Sequence, residues 1–259
     1  MKNVIETAEL TGVRFHLVNH SQLLNFIETS AIEEQKTNIF NVNIHAMNLA
    51  HKHPEFKSIL NQADMVFVDG FGVILGAKLA NIPVGQRLTP MDWIDDLFIL
   101  CAKYQWKIFL LGDVDKALKE FEEKLKINHP HCQLVGYHHG FFDREGTEND
   151  KVVEIINQSG ANILLIGMSM PIQEEWVWKN SDSLVPTIRI TTGAMHRVYT
   201  ENIRRAPQWA TNNGFEWLYR LCMEPKKTWR RYILGNPAFI LRVLRKKIFP
   251  KQKNDTSKF

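Results

Sequence analysis

The chain is short of several features that would narrow its function quickly. Its 259 residues contain three cysteines, Cys101, Cys132 and Cys222. They are scattered, odd in number and without metal-ligand spacing, so neither a disulfide framework nor a thiolate metal site is expected. No apolar run approaches the roughly 20 residues that cross a bilayer, and the opening MKNVIETAEL lacks the apolar segment of a signal peptide. A cytoplasmic protein is the expectation. There is no G-x-G-x-x-G and no Walker P-loop, which disfavours dinucleotide oxidoreductases and P-loop enzymes. Histidines are not scarce, with His16, His20, His45, His51 and His53 close together. Without paired carboxylates beside them, metal binding is the weaker reading of them.

What is present reads as an α/β protein. Hydrophobic content of 44% and charged content of 23% are ordinary for a globular chain, and the length suffices for one α/β domain with an appendage. Apolar runs at Val13 to Leu17, Thr37 to Val42, Met65 to Val68, Trp106 to Leu111, Gln133 to Gly136, Asn162 to Ile166 and Ile188 to Thr192 read as strands. Between them, Ser21 to Ser30, Phe71 to Leu79, Lys116 to Ile127, Asn149 to Ser159 and Ile172 to Lys179 read as helices. Strands that alternate with helices and stop at glycines predict a parallel sheet with nucleotide-like ligands at its carboxyl edge. Gly112, Asp113, Gly136, Tyr137 and Gly167 are therefore candidate substrate contacts. A domain over residues 1–200 and an appendage over 201–259 are expected.

The strongest local signal lies between Asn41 and Leu79. Two apolar runs there end abruptly, one at Asn43 to His45 and the other at Asp69-Gly70. A carboxylate at the end of a strand buried on both faces is partly desolvated, which raises its pKa and makes it a better base. The bland reading is that Asp69 caps the helix that follows. Arg87 comes after the breakers Pro83 and Gly85 and is either a surface charge or an anion clamp; Thr89 and Pro90 then mark a helix start. Asp113-Val114-Asp115 can hold a divalent cation on a diphosphate, but a helix cap with a favourable dipole is the preferred reading.

The formal net charge of +4 is unevenly spread. Beyond Glu224, basic residues run from Lys226 to Lys253 against a single acid, Asp255, and alternate with aromatic and aliphatic side chains up to Phe249. Such helices lie in a membrane interface, each cation near an anionic leaflet adding about 1 kcal/mol. Phosphate contacts alone need far less apolar surface, so no nucleic-acid partner is expected.

Four blocks together resemble a known family: QADMVFVDGFGV (Gln62 to Val73), LLIGMSMPIQEEW (Leu164 to Trp176), RRAPQW (Arg204 to Trp209) and EWLYRLCMEPKKTWRRY (Glu216 to Tyr232). The chain from about Asn38 to Pro237 resembles the WecG/TagA/CpsF family of bacterial glycosyltransferases. The resemblance implies a Rossmann-like fold and an inverting transfer from a UDP-sugar to an undecaprenyl-diphosphate-linked saccharide, in the synthesis of cell-surface polymers. It also implies peripheral attachment to the inner face of the cell membrane, a homo-oligomer of the family's kind, and neither cofactor nor metal. By residue match Asp69 would be the general base, Arg87 and Gln173 would share the catalytic site, and Asn41, Asn43 and Glu174 would contact substrate. Arg220, Lys227 and Arg230 would neutralise the departing diphosphate.

Some positions depart from the family pattern. Asn41 stands where Thr is usual, Pro90 where Gly is common, Asp113-Val114-Asp115 where a glycine-rich turn is found, and His196-Arg197 where Phe-Asp is found. These leave N-acetylmannosamine, its uronic acid and a hexose all open as the sugar transferred. Two other classes remain: a non-enzymatic membrane or nucleic-acid adaptor with a basic tail, which would give Asp69, Arg87 and Gln173 no role, and an oxidoreductase, which would bind a nicotinamide cofactor.

Overall fold

The structure, a computed structural model, describes residues 5–248, without the side chains of Asn212 and Lys227. Phe249, Lys251, Lys253 and Asp255 of the basic tail lie outside the described residues. A hairpin of β1 (Thr7–Leu10) and β2 (Val13–His16) leads into α1 (His20–Ile32). Next come β3 (Thr37–Val42), α2 (Ile44–Lys52), α3 (Pro54–Gln62), β4 (Met65–Val68), α4 (Phe71–Leu79) and α5 (Pro90–Tyr104). The second half alternates strictly: β5 (Lys107–Gly112), α6 (Asp115–Asn128), β6 (Gln133–His138), α7 (Gly146–Gln158), β7 (Ile163–Gly167), α8 (Ile172–Asn180), β8 (Ile188–Thr191) and α9 (Met195–Tyr199). The C-terminal segment holds α10 (Gln208–Asn212), α11 (Glu216–Met223), α12 (Pro225–Trp229), a π-helical turn at Arg230–Leu234, and α13 (Gly235–Ile248).

The larger sheet has six strands in the order β4-β3-β8-β7-β5-β6, every pairing parallel. This is a Rossmann-like α/β fold. Alternation along the strands divides the core into two layers. Phe40, Val42, Val66, Val68, Leu164 and Ile166 face one layer, and Ile39, Met65, Phe67, Leu165, Ile188 and Ile190 face the other. Both faces are covered, as purely parallel sheets require. β8, the last strand in sequence, lies between β3 and β7, so the carboxyl ends of β4, β3 and β8 are neighbours.

The C-terminal helix packs onto this body. Phe239 and Val243 of α13 are fully buried in the first layer, and a Cβ on Gly76 would lie 2.7 Å from the Phe239 ring. Asn48 fastens the start of α13, its amide donating to the Gly235 carbonyl at 2.9 Å and its Oδ1 accepting from Arg242 at 3.0 Å.

Several local expectations need correction. α1 starts one residue before the expected Ser21, and its cap is Asn19: its side chain accepts from the Gln22 amide, and Gln22 reaches back to the Asn19 amide in a capping box. The cap position of α4 belongs to Gly70, at φ +106°, which leaves Asp69 without a capping role. Likewise the cap of α6 is Val114. Asp113 precedes it at φ +55°, accepts from the Val114 amide at 2.9 Å, and spends its carboxylate on His196 at 2.8 Å and Arg197 at 3.1 Å.

Candidate active site

The carboxyl ends of β3, β4 and β8 open into a cavity of about 720 Å³. Asn41 and Asn43 enter it from β3, Asp69 from β4, Gln173 from α8, and Thr192 and Gly193 from the end of β8. Arg87 and the start of α5 form a side wall. Arg205, Glu216, Arg220 and Arg231 close it from the C-terminal segment. The closure is tight, since a Cβ on Gly214, at φ +78°, would lie 2.4 Å from the Phe71 ring at the start of α4. Only glycine meets both demands there.

Asp69 is held by its backbone, its amide donating to the Val42 carbonyl at 2.8 Å. Among the described residues no hydrogen bond or ion pair within 4.0 Å engages its carboxylate. Burial lifts its pKa to about 6 and the negative charge of Glu216 adds to the rise, while Arg220, Arg231 and Arg87 oppose it. A carboxylate with that balance is ionised at neutral pH yet basic enough to accept a proton. His45, on the same wall, is driven the other way, to about 4, by burial and then by Arg231 and Lys52. It is neutral near pH 7.

The amide side chains of the cavity floor are oriented by their partners. Asn43 Oδ1 accepts from the His45 and Ala46 amides at 2.9 and 3.2 Å, capping α2. Asn41 Nδ2 donates to the Thr191 carbonyl at 3.3 Å, and Gln173 Nε2 donates to Glu174 at 2.7 Å. Asn41 Oδ1 and Gln173 Oε1 are then buried without a partner. Buried acceptors of this kind call for donors.

Arginines gather around the rest of the cavity. Arg87 lies 3.3 Å from Asp92 Oδ2, which also accepts the Thr89 amide at 2.9 Å at the start of α5. Arg205 takes the other oxygen of Asp92. Glu216 lies between Arg87, at 3.8 Å, and Arg220, at 3.2 Å. The model of the glycosyl transferase WecG/TagA/CpsF family matches residues 8–253. The chain belongs to that family. Two relatives are each named N-acetylglucosaminyldiphosphoundecaprenol N-acetyl-beta-D-mannosaminyltransferase. One, from Staphylococcus aureus (strain MW2), is 25% identical over 241 residues, covering 92% of each chain. The other, from Bacillus subtilis (strain 168), is 23% identical over 260 residues, covering 98% of this chain and 99% of the relative.

Of the candidate residues in this glycosyltransferase, Asn41, Asn43, Asp69, Arg87, Gln173 and Arg220 converge on the cavity. Others lie elsewhere. A Cβ on Gly112 would lie 2.4 Å from the Gly167 carbonyl oxygen, and one on Gly136 would lie 2.8 Å from the Phe109 ring. These glycines serve backbone approach and core packing, and neither they, Gly167, Tyr137 nor Asp113 lines the cavity. Arg230 is exposed with its guanidinium over the Trp229 ring at 5.3 Å, whereas its neighbour Arg231 lines the cavity. The Lys227 side chain is outside the description. Arg205, Glu216 and Arg231 were not singled out as site residues from sequence, although all three lie in the RRAPQW and EWLYRLCMEPKKTWRRY blocks that carry the resemblance. Among the described residues no three His, Cys, Asp or Glu side chains group to hold a metal. Nor is any helix among them long and apolar enough to cross a membrane.

Glu174 stands behind the wall, fully buried, with Oε2 unpartnered. Burial raises its pKa from 4.5 to about 8, against the opposing pull of the Gln173 hydrogen bond. Between those values the folded state keeps a proton that the unfolded chain releases. Stability therefore falls as pH rises through the window, by at most about 1.4 kcal/mol per unit. Urea midpoints compared at pH 5 and pH 8 test this: wild type is expected to lose ground to Glu174→Gln at the higher pH. A gap independent of pH would mean that Glu174 is already ionised in the fold.

Proposed function

We propose that this glycosyltransferase moves an N-acetylmannosamine-type sugar from a UDP-sugar to an acceptor saccharide carried on a lipid diphosphate, with inversion at the anomeric carbon. The observation that carries the reading is Asp69, an unpaired carboxylate with a pKa near 6 in a cavity that four arginines also line. In one concerted displacement Asp69 takes the proton of the acceptor hydroxyl, whose oxygen forms the new bond to the anomeric carbon. The bond to the nucleoside diphosphate breaks on the opposite face. Negative charge grows on the departing diphosphate, where the preorganised guanidinium groups of Arg87, Arg220 and Arg231 are worth most. Asn41 and Gln173 offer acceptors to the sugar hydroxyls. A cavity of this size suits a nucleoside diphosphate sugar, and the relatives' printed names support N-acetylmannosamine and a lipid-diphosphate-linked N-acetylglucosamine acceptor.

The acceptor's lipid requires a membrane beside the cavity. Trp209, Phe215, Trp217, Trp229, Ile233 and Leu234 are exposed around it, interleaved with the exposed Lys226 and Arg230. A surface of this composition suits the interface of an anionic leaflet and supports a peripheral position on the face where nucleotide sugars are available. The deciding experiment is transfer from a panel of UDP-sugars to lipid-diphosphate-linked N-acetylglucosamine, with and without anionic vesicles. Transfer from UDP-N-acetylmannosamine, enhanced by vesicles, is expected. Transfer only from the uronic acid or a hexose would revise the donor, and inactivity with every donor would reject the acceptor.

A further inference from the structure

Glu216 is an unexpected residue to find in a cavity built for an anion. As the first residue of α11 it suits the helix dipole, but its carboxylate does more than that. Oε1 lies 3.2 Å from Arg220 Nη2 and Oε2 lies 3.8 Å from Arg87 Nη1, so each oxygen faces a different arginine. One arginine belongs to the α/β body and the other to the C-terminal segment. The contact to Arg87 is an ion pair longer than a hydrogen bond, and Arg87 Nη1 remains buried without a hydrogen-bond partner. A cation with an unused donor faces the space that Glu216 only partly fills.

The two carboxylates that touch Arg87 differ in how firmly they are held. Asp92 is fixed by the Thr89 amide and by Arg205, and it stands outside the cavity lining. Glu216 lines the cavity, and the two arginines are the only partners of its carboxylate among the described residues. Asp92 orients Arg87, while Glu216 can leave.

We propose that Glu216 is an internal stand-in for the diphosphate, bridging Arg87 and Arg220 while the site is empty and giving way when the substrate's diphosphate enters. This rests on the reading of the cavity as a nucleoside-diphosphate site. Two carboxylate oxygens set between two guanidinium groups reproduce the arrangement that phosphate oxygens take between arginines. Bound diphosphate beside an unmoved Glu216 would put like charges together, close to Asp69 as well. The bridge also explains how the C-terminal segment stays seated on the body with four arginines lining one cavity, since the stand-in offsets their mutual repulsion until substrate does so. Glu216 is thus a positioning residue that acts through Arg87 and Arg220.

The test is calorimetric binding of inorganic diphosphate to the full chain, as wild type, Glu216→Gln and Arg220→Gln, with folding checked by thermal melting. Removing the competing charge is expected to tighten binding about three- to tenfold, the scale for one unit charge in a partly solvated cleft. Arg220→Gln is expected to weaken binding at least about tenfold. A purely structural Glu216 would give unchanged or weaker binding in Glu216→Gln, and that outcome overturns the proposal alone, provided Arg220→Gln still weakens it. Absent binding in wild type, or binding indifferent to Arg220, overturns the diphosphate reading and the stand-in with it. Should the glutamine variant fail to fold, Glu216→Ala carries the same expectation.

Discussion

Asp69→Asn is expected to lower kcat for sugar transfer by about 10²- to 10⁴-fold, the range for loss of a positioned general base, without lowering stability. The two halves of that result have one cause. Burial and the charge of Glu216 raise the Asp69 pKa from 3.8 to about 6, so the folded state holds its carboxylate at a disadvantage once it ionises. The sign follows from linkage: between pH 3.8 and about 6 the folded chain binds a proton that the unfolded chain releases, so this residue's contribution falls as pH rises. An isosteric amide escapes the penalty, and Asp69→Asn is expected to melt at or above the wild-type temperature at pH 7. Activity has the opposite dependence. The ionised base is the working form, so wild-type kcat/KM should rise with pH up to about 6 and level off above it. Thermal melts and a pH–rate profile check both halves. A variant that keeps its activity would remove Asp69 from the chemistry, and one that loses activity together with its fold would leave the carboxylate in a structural role.

Asp69 is legible in the sequence because its setting is a local pattern. β3, β4 and α4 run over the spans read from the sequence, since a buried strand announces itself as an apolar run and its end as a polar residue beside glycine. Asn41, Asn43 and Asp69 sit at such ends, and the sheet order then makes neighbours of them. Local pattern misled where one signal has two physical causes. A glycine after a strand permits the approach of a ligand or of another backbone, and for Gly112 and Gly167 it is the other backbone. Glu174 adjoins Gln173 in sequence, but on a helix successive residues face different directions, and Glu174 turns into the core. The C-terminal residues are the least legible. Arg205, Glu216 and Arg231 reach the cavity only because the final segment folds back over the body, a contact between residues more than 100 apart that no periodicity encodes.

Arg231→Gln is expected to cost about 10²- to 10³-fold in kcat, the scale for one donor aimed at developing charge, whereas Arg230→Gln should leave kcat within about twofold, as an exposed charge does. The contrast follows from the π-helical turn over Arg230–Leu234. Arg230 and Arg231 open that turn, and successive residues on a helix leave it in different directions, so of the two adjacent arginines one lines the cavity and the other is exposed. Arg231 lines the cavity and its charge helps hold down the pKa of Asp69. Removing it should therefore also move the acidic limb of the kcat/KM profile to higher pH, a change that a loss of packing alone would not produce. Arg230 lies over Trp229 at the exposed surface, and its loss should appear as weaker binding to anionic vesicles, by about 1 kcal/mol. Transfer assays with a water-soluble acceptor separate the two effects, because they retain the chemistry and dispense with the membrane. Equal losses of kcat in the two variants would mean that the helical phase at this turn differs from the one described, and a normal profile in Arg231→Gln would place the charge of the leaving diphosphate on Arg87 and Arg220 alone.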